Sequence, residues 1–261
     1  MKKFALFFAA AVSIIAVSCK SDDDSTPEVT PVSVDLNFTH NWDGSNIENA
    51  DFETTQYTNA NGEELTLSKI VYLISDVTFT NSAGESFDAG DYNLVNVREE
   101  DNLTFTPGIQ IPPGDYTVSF TFGFDDEDNI DAVYPDLNQT PEGSWGVPMM
   151  MGGGYHYMRL EGRFLDNTST ITGFQYHAIR ANDQSTTPVT LQDTSIPVTL
   201  GQVTIGDNTT IEVKMNAAEW FKNPNQWDLN ALPGMLMPNF AAQIMISENG
   251  ASVFSLGAVT Q

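Results

Sequence analysis

The fold is decided by the stretch Val32-Ser33-Val34-Asp35-Leu36-Asn37-Phe38-Thr39-His40, in which apolar and polar residues alternate. Successive side chains of a β-strand point to opposite faces of the sheet, so this period of two predicts a strand with one buried face. His40 continues the apolar face of the stretch. We therefore expect its ring to point into the core.

Short apolar runs of the same kind recur along the chain, separated by turn signals such as Asn61-Gly62 and Asn249-Gly250. The predicted strands are residues 65–67, 70–80, 92–97, 114–124, 155–164, 170–179, 198–205, 209–215 and 240–247. Residues 217–222 follow a capping Asn216 and predict a short helix near the C-terminus. About nine strands with this spacing predict an all-β fold, an antiparallel β-sandwich that is Ig-like or related, with a barrel as the second choice.

The first eighteen residues have the three parts of a bacterial signal peptide. Met1-Lys2-Lys3 is charged, residues 4–17 are apolar, and Ser18 supplies a small residue at the cleavage site. The apolar stretch is shorter than the roughly 20 residues that span a bilayer as a helix. Cys19 follows directly and is the only cysteine, a position that resembles the lipobox of bacterial lipoproteins. We therefore expect a lipid on Cys19 to hold the protein at the membrane.

Lys20-Ser21-Asp22-Asp23-Asp24 resembles the acidic export signal of Bacteroidota lipoproteins that reach the outer face of the outer membrane. The expected location is the outer membrane with exposure at the cell surface, and the periplasmic face is the alternative. The expected organisation is a signal peptide at 1–18, a lipidated cysteine with a flexible acidic tether at 19–31, and one β domain at 32–261.

Composition excludes several classes of function. The chain has 10 Lys and Arg against 35 Asp and Glu, a formal net charge of −25, so nucleic acid is not an expected partner. The same charge opposes electrostatic binding to anionic lipid. Gly-x-Ser-x-Gly, His-Glu-x-x-His, Cys-x-x-Cys and Walker motifs do not occur. We therefore do not expect an enzyme.

The three histidines of the chain, His40, His156 and His177, all fall within or at the end of predicted strands. His156 is expected to share a face with Met158 of its own strand. A single inward histidine is more often a hydrogen-bonded core residue than a metal ligand. If the three converge near a methionine such as Met150 or Met158, the ligands are imidazole and thioether, which suit Cu(I). Zinc remains open with three histidines.

Residues 125–151 form a long connection without strand periodicity. Asp125, Glu127, Asn129 and Asp131 alternate oxygen ligands that suit Ca²⁺, although the spacing of an EF-hand is absent. A solvated acidic loop is the commoner structure for such a run. Calcium is therefore kept as the second metal.

The order of several short motifs resembles one family. The motifs are Phe38-Thr39-His40-Asn41-Trp42, Leu67-Ser68-Lys69-Ile70-Val71-Tyr72-Leu73-Ile74-Ser75-Asp76-Val77, Ile111-Pro112-Pro113-Gly114-Asp115-Tyr116, Phe122-Gly123-Phe124-Asp125, Gly154-Tyr155-His156-Tyr157-Met158-Arg159-Leu160-Glu161-Gly162 and Phe174-Gln175-Tyr176-His177. Together they resemble the MbnP-like copper-binding domain over most of residues 32–261. The resemblance implies a β-sandwich that binds copper through histidines outside the cytoplasm, and it carries over to His40 and His177.

In some members of that family a tryptophan beside the copper is oxidised to kynurenine by a dihaem partner enzyme, so the resemblance also implies such a partner. The family usually has tryptophans just before the Gly-Tyr of its Glu-Gly strand. Here the stretch Met149-Met150-Met151-Gly152-Gly153 stands in that place. Trp42 and Trp145 are the nearest remaining candidates for a modified aromatic.

The leading hypothesis is therefore a lipid-anchored extracytoplasmic protein that captures or buffers Cu(I) or Cu(II). Its expected ligands are His40 and His177, with His156 or a methionine such as Met150 or Met158 as a third. One alternative is a surface module without metal that binds glycan or protein through exposed Tyr and Trp side chains. Another is a β-sandwich that Ca²⁺ stabilises.

Overall fold

In the computed structural model the described residues are 29–90 and 92–261. The predicted signal peptide and the predicted lipidation of Cys19 lie outside the described residues. No helix within the described residues has the length and apolar character needed to cross a membrane.

Fifteen strands and one α-helix make up the regular structure of the described residues. The strands are β1 (Val34–Trp42), β2 (Ser45–Asn46), β3 (Tyr57–Thr58), β4 (Glu64–Asn81), β5 (Ser86–Asp88), β6 (Tyr92–Asn96), β7 (Thr104–Phe105), β8 (Gly114–Phe122), β9 (Met158–Leu165), β10 (Ile171–Ala178), β11 (Ala181–Asp183), β12 (Thr190–Gln192), β13 (Ile196–Ile205), β14 (Thr209–Asn216) and β15 (Phe254–Thr260). The helix is α1 (Phe240–Gly250), and short 3-10 helices lie at Asn49–Asp51, Leu137–Gln139, Met149–Met151 and Ala217–Phe221.

Two sheets form a β-sandwich, which confirms the predicted fold class. The first sheet has the order β15-β14-β1-β2, with β7 also paired to β1, and the second has the order β10-β9-β4-β8-β13, with β3, β5 and β6 also paired to β4. β11 and β12 form a separate ribbon. The pairing of β1 with β14 is parallel, so the first sheet is mixed rather than purely antiparallel.

The main core lies between the two sheets and forms because β1 alternates as predicted. Val34, Leu36, Phe38 and His40 are buried while the residues between them are partly exposed. The Phe38 ring meets Tyr72 of the second sheet at a centroid distance of 6.1 Å. Buried apolar side chains from both sheets join this single cluster, and the burial of their surface is what holds the sheets together.

The central strand β4 is buried on both of its faces over residues 70–75. Directly opposite residues in antiparallel strands share a face, so the second sheet can be described as rows. The inner row, which faces the main core, is Val95, Tyr72, Met158 and Ala178. The outer row is Asn96, Val71, Arg159 and His177. The long connection between β8 and β9 covers the outer face, where it forms an outer cluster of Val71, Leu73, Phe124, Leu137, Trp145 and Tyr155.

Residues 240–247, predicted as a strand, belong instead to the α-helix Phe240–Gly250. Asn239 caps this helix by accepting a hydrogen bond from the backbone N–H of Ala242. Its buried residues Ala242, Ile246 and Asn249 recur at intervals of three to four, which is the period of a helix. The helix predicted at 217–222 is a short 3-10 helix over Ala217–Phe221.

Acid should destabilise this fold through His40, which lies in the main core with its Nε2 3.1 Å from the hydroxyl of Tyr72. Burial lowers the pKa of His40 from 6.5 to about 3. Between these values the unfolded chain binds a proton that the folded chain excludes, so stability falls as the pH falls below 6.5 and is unaffected above it. Going from pH 7 to 4.5, the wild type should lose about 2 to 3 kcal/mol more stability than His40→Gln.

Urea unfolding at the two pH values measures this difference. Tyr72→Phe is the control, since it removes the hydroxyl and keeps the imidazole, and it should lose as much stability as the wild type. Equal losses in the wild type and in His40→Gln would contradict the assignment.

Candidate metal centre

His156 and His177 lie next to each other on the outer face of the second sheet. Their ring centroids are 5.6 Å apart and the rings are nearly perpendicular, at 80°. β10 carries His177 outward because its alternation buries Tyr176 and Ala178 on the other face. His156 precedes β9, whose regular pairing begins at Met158. The alternation of that strand therefore does not extend to His156. The prediction that His156 shares a face with Met158 is wrong, because His156 contacts His177 on the outer face while Met158 is buried in the main core.

Hydrogen bonds fix which nitrogen of each ring carries the proton. Nδ1 of His156 lies 2.8 Å from the carbonyl oxygen of Trp145, and Nε2 of His177 lies 2.8 Å from Oε1 of Glu161. A carbonyl and an ionised carboxylate only accept, so both of these ring nitrogens must be N–H donors. The hydrogen bond from His177 lowers the pKa of Glu161, which keeps that carboxylate ionised. When the rings are neutral, Nε2 of His156 and Nδ1 of His177 are therefore the nitrogens that keep a lone pair.

A second contact to Nδ1 of His156 is too long to compete with the Trp145 carbonyl. Nη2 of Arg159 lies 3.4 Å from Nδ1 of His156, and a hydrogen bond there would require Nδ1 to accept. The shorter contact to the Trp145 carbonyl cannot form with an unprotonated Nδ1, because two lone pairs would face each other. We therefore interpret the Arg159 contact as a close approach of the guanidinium and not as a hydrogen bond.

The environment keeps His156 neutral. Burial first, and then the neighbouring positive charge of Arg159, lower the pKa of His156 to about 3. A neutral imidazole is the form that binds metals. His156 is therefore ready to act as a ligand at any pH well above that value.

Trp145 completes the pocket around His156. Its side chain is fully buried, and its ring centroid lies 5.6 Å from that of His156. The guanidinium carbon of Arg159 stands 4.5 Å over the indole centroid, a cation–π arrangement. The indole Nε1 is buried and has no hydrogen-bond partner among the described residues.

Polar contacts anchor the segment that carries Trp145 to the sheet. Arg159 donates from Nη1 to the carbonyl of Glu142 at 3.3 Å and from Nη2 to the carbonyl of Ser144 at 2.5 Å. Lys69 on the neighbouring strand forms an ion pair with the Glu142 carboxylate at 2.5 Å. These contacts hold the Trp145 carbonyl where it can accept from both Nδ1 and the backbone N–H of His156.

The structure does not bring His40 to this pair. The His40 ring packs against Tyr72 of the inner row at a centroid distance of 5.8 Å, whereas His177 belongs to the outer row of the same sheet. Met158 is buried in the main core, and Met150 is exposed within the long connection. In residues 29–90 and 92–261 no three His, Cys, Asp or Glu side chains converge as a metal-binding group. The pair of imidazoles is thus the candidate metal centre.

The acidic run of the long connection serves local structure. The Asp125 carboxylate accepts from the backbone N–H groups of Glu127 and Asp128, which closes a turn. Asn129 is buried, accepts from the backbone of Tyr155 and donates to the hydroxyl of Tyr157. These two side chains, which the sequence pattern offered as calcium ligands, are therefore engaged in holding the connection on the sheet.

The family model MbnP matches residues 31–238. The chain belongs to the MbnP family. A solved structure, MbnP from Methylosinus trichosporium, superposes with a TM-score of 0.55 at 12% sequence identity, covering 88% of this chain and 99% of that chain. At that identity the likeness shows a shared fold alone. No curated protein sequence matches the chain significantly. The resemblance that the ordered motifs predicted is thus confirmed.

Within this MbnP fold the two candidate aromatics differ in their surroundings. Trp42 packs in the main core, stacked on Tyr57 at a centroid distance of 4.9 Å, and its Nε1 donates to the Thr58 carbonyl. Trp145 alone of the two contacts a histidine of the pair. All four tryptophans of the chain are buried. This counts against a surface module that binds its partner through exposed tryptophans.

Sequence reasoning missed the contacts of Arg159 and Glu161 with the histidine pair. Both residues stood in the quoted motif Gly154 to Gly162, but only as part of a family pattern. Their alternation with buried Met158 and Leu160 already predicts that they point away from the core. An arginine and a glutamate on the same strand face as nearby histidines were the signal that could have identified them.

The ring protonation derived above can be tested directly. In its neutral form each ring should be a single tautomer, Nδ1–H for His156 and Nε2–H for His177, because of the acceptors that each N–H faces. Long-range ¹H–¹⁵N correlation spectra of the metal-free protein distinguish the two nitrogens of each ring. His156→Gln and His40→Gln variants assign the signals, and an Nε2–H tautomer at His156 would contradict the geometry.

Proposed function

We propose that this chain is an extracytoplasmic copper-binding protein that captures or buffers copper through His156 and His177 and catalyses no reaction itself. Membership in the MbnP family implies a copper-related role. In this chain the His156–His177 pair offers imidazole nitrogens as copper ligands. The sequence predicted His40 and His177 as ligands and His156 or a methionine as a third. The proposed ligand set keeps His177, takes His156 as the second ligand and leaves His40 as a core residue.

One observation carries the proposal: each histidine has one nitrogen tied to an acceptor while the other keeps its lone pair. Metal-ligating histidines almost always donate their second ring N–H to a carbonyl or carboxylate, which fixes the tautomer and orients the ring. Trp145 and Glu161 supply those two acceptors here. The orienting contacts and the proximity of the two rings therefore support the proposed ligand pair.

The chemistry of the donors favours copper over the other candidates. Imidazole nitrogens suit copper and zinc, while Ca²⁺ takes six to eight oxygen ligands. Zinc sites are mostly four-coordinate with three or four protein ligands, whereas two imidazoles meet here. The centroid separation of 5.6 Å is short enough for one ion to reach both rings with metal–nitrogen bonds of about 2.0 Å.

Competition with a chromogenic chelator tests the proposal. In an anaerobic Cu(I) titration of residues 21–261, the wild type should bind close to one equivalent, and His156→Gln and His177→Gln should each weaken binding at least tenfold, because each removes one of two ligands. His40→Gln is the matched control and should bind as the wild type does. Retention of copper by the first two variants, or its loss in the control, would contradict the proposed ligands.

We propose further that a lipid on Cys19 anchors the protein to the outer membrane and that the acidic residues after it direct it to the cell surface. The net charge of −25 keeps the domain in water and leaves the acyl chains as the membrane contact. If a dihaem partner of the kind that the family resemblance implies acts on this chain, the aromatic beside the histidines is Trp145.

Fractionation of cells tests the anchor. The wild type should sediment with membranes, and Cys19→Ser should lose the acyl chains and appear in the soluble fraction or remain as the uncleaved precursor. Digestion of intact cells with an added protease should remove the wild type but spare a variant in which Asp22, Asp23 and Asp24 are replaced by alanine. Protection of the wild type would place the protein on the periplasmic face.

A further inference from the structure

A fixed positive charge lies beside the histidine pair. The Arg159 guanidinium is held by the carbonyls of Glu142 and Ser144 and by the face of Trp145, and it approaches Nδ1 of His156 to 3.4 Å. These partners are all neutral groups. Among the described residues no carboxylate forms an ion pair with Arg159. Arginine stays protonated in proteins, so it places a positive charge next to His156, and the nearby Glu161 and Glu142 carboxylates interact with that charge without forming an ion pair.

A negative charge contacts the second ring of the pair. Glu161 is two residues further along β9, on the same face as Arg159, and its Oε1 is 2.8 Å from Nε2 of His177. Lys69 is in register with Glu161 but forms its ion pair with Glu142. The histidine pair therefore has a fixed cation at one ring and a fixed anion at the other.

Resting on the proposed function, we propose that Arg159 biases the His156–His177 pair toward monovalent copper and that Glu161 opposes this bias. The energy between two charges is proportional to their product. A dication at the pair is repelled by Arg159 twice as strongly as a monocation, and it is attracted twice as strongly by Glu161. Each residue therefore changes the ratio of the Cu(II) and Cu(I) affinities, and the two act in opposite directions.

Arg159 also holds the Trp145 segment, so a purely structural role must be separated from the electrostatic one. Loss of positioning would loosen His156 and weaken the binding of Cu(I) and Cu(II) by the same factor. Loss of charge changes the ratio of the two affinities. Arg159→Lys keeps the charge and loses the planar fork, whereas Arg159→Gln loses the charge and keeps amide donors for the carbonyls.

The experiment measures both dissociation constants for each variant of residues 21–261, which contain every described element. Cu(I) is titrated anaerobically against a chromogenic chelator, and Cu(II) against a second competing chelator. Arg159→Gln should shift the ratio toward Cu(II) by about tenfold or more, Arg159→Lys by less than about threefold, and Glu161→Gln should shift it toward Cu(I). Circular dichroism reports whether each variant is folded.

The outcomes separate the two proposals. Wild-type protein that binds neither ion overturns the proposed function itself. Copper binding with an unchanged ratio in Arg159→Gln, or with a shift in the same direction as in Glu161→Gln, overturns the electrostatic role and leaves the function standing. If Arg159→Gln does not fold, Glu161→Gln tests the inference instead. A shift of the affinity ratio toward Cu(I) in that variant supports the electrostatic role, and an unchanged ratio overturns it.

Discussion

Burial of β4 on both faces is the constraint on which the rest of the structure depends. An antiparallel sheet with one wet face would leave Val71 and Leu73 exposed. In this chain the long connection between β8 and β9 closes over them and buries Trp145 and Tyr155 against the strand. The connection is therefore a third layer on the sandwich. Because the connection covers part of that face, polar side chains of the outer row are partly withdrawn from water, and each charge and each hydrogen bond has a larger effect there than in water.

The histidine pair follows from this third layer. His177 comes from a regular strand and His156 from the last residues of the connection, so the pair forms only where the layer meets the sheet. Arg159 joins the two by reaching from the strand to the carbonyls of the connection. The contacts that fold the outer layer are thus the same contacts that orient the proposed copper ligands.

Local patterns in the sequence were enough for most of the longer strands and for the direction of His40, because a period of two determines which side chains share a face. They were not enough for His156, since its position depends on where the pairing of β9 begins, and that is a tertiary property. The apolar run Ile244-Met245-Ile246 favoured a strand at 240–247, although Asn239 was available as a helix cap. The contact between His156 and His177 depends on the register of β9 with β10, which a single sequence does not specify.

The parallel pairing of β1 with β14 bears on the order in which the molecule can form. Thr39 and Glu212, which are hydrogen-bonded across these strands, are 173 positions apart in the chain. Contacts of such long range slow folding. During synthesis β1 therefore cannot form its backbone hydrogen bonds with β14 until most of the chain is made. The edge of β1 that pairs with β14 is therefore among the last parts of the sandwich to form, although β1 is the first strand to be synthesised.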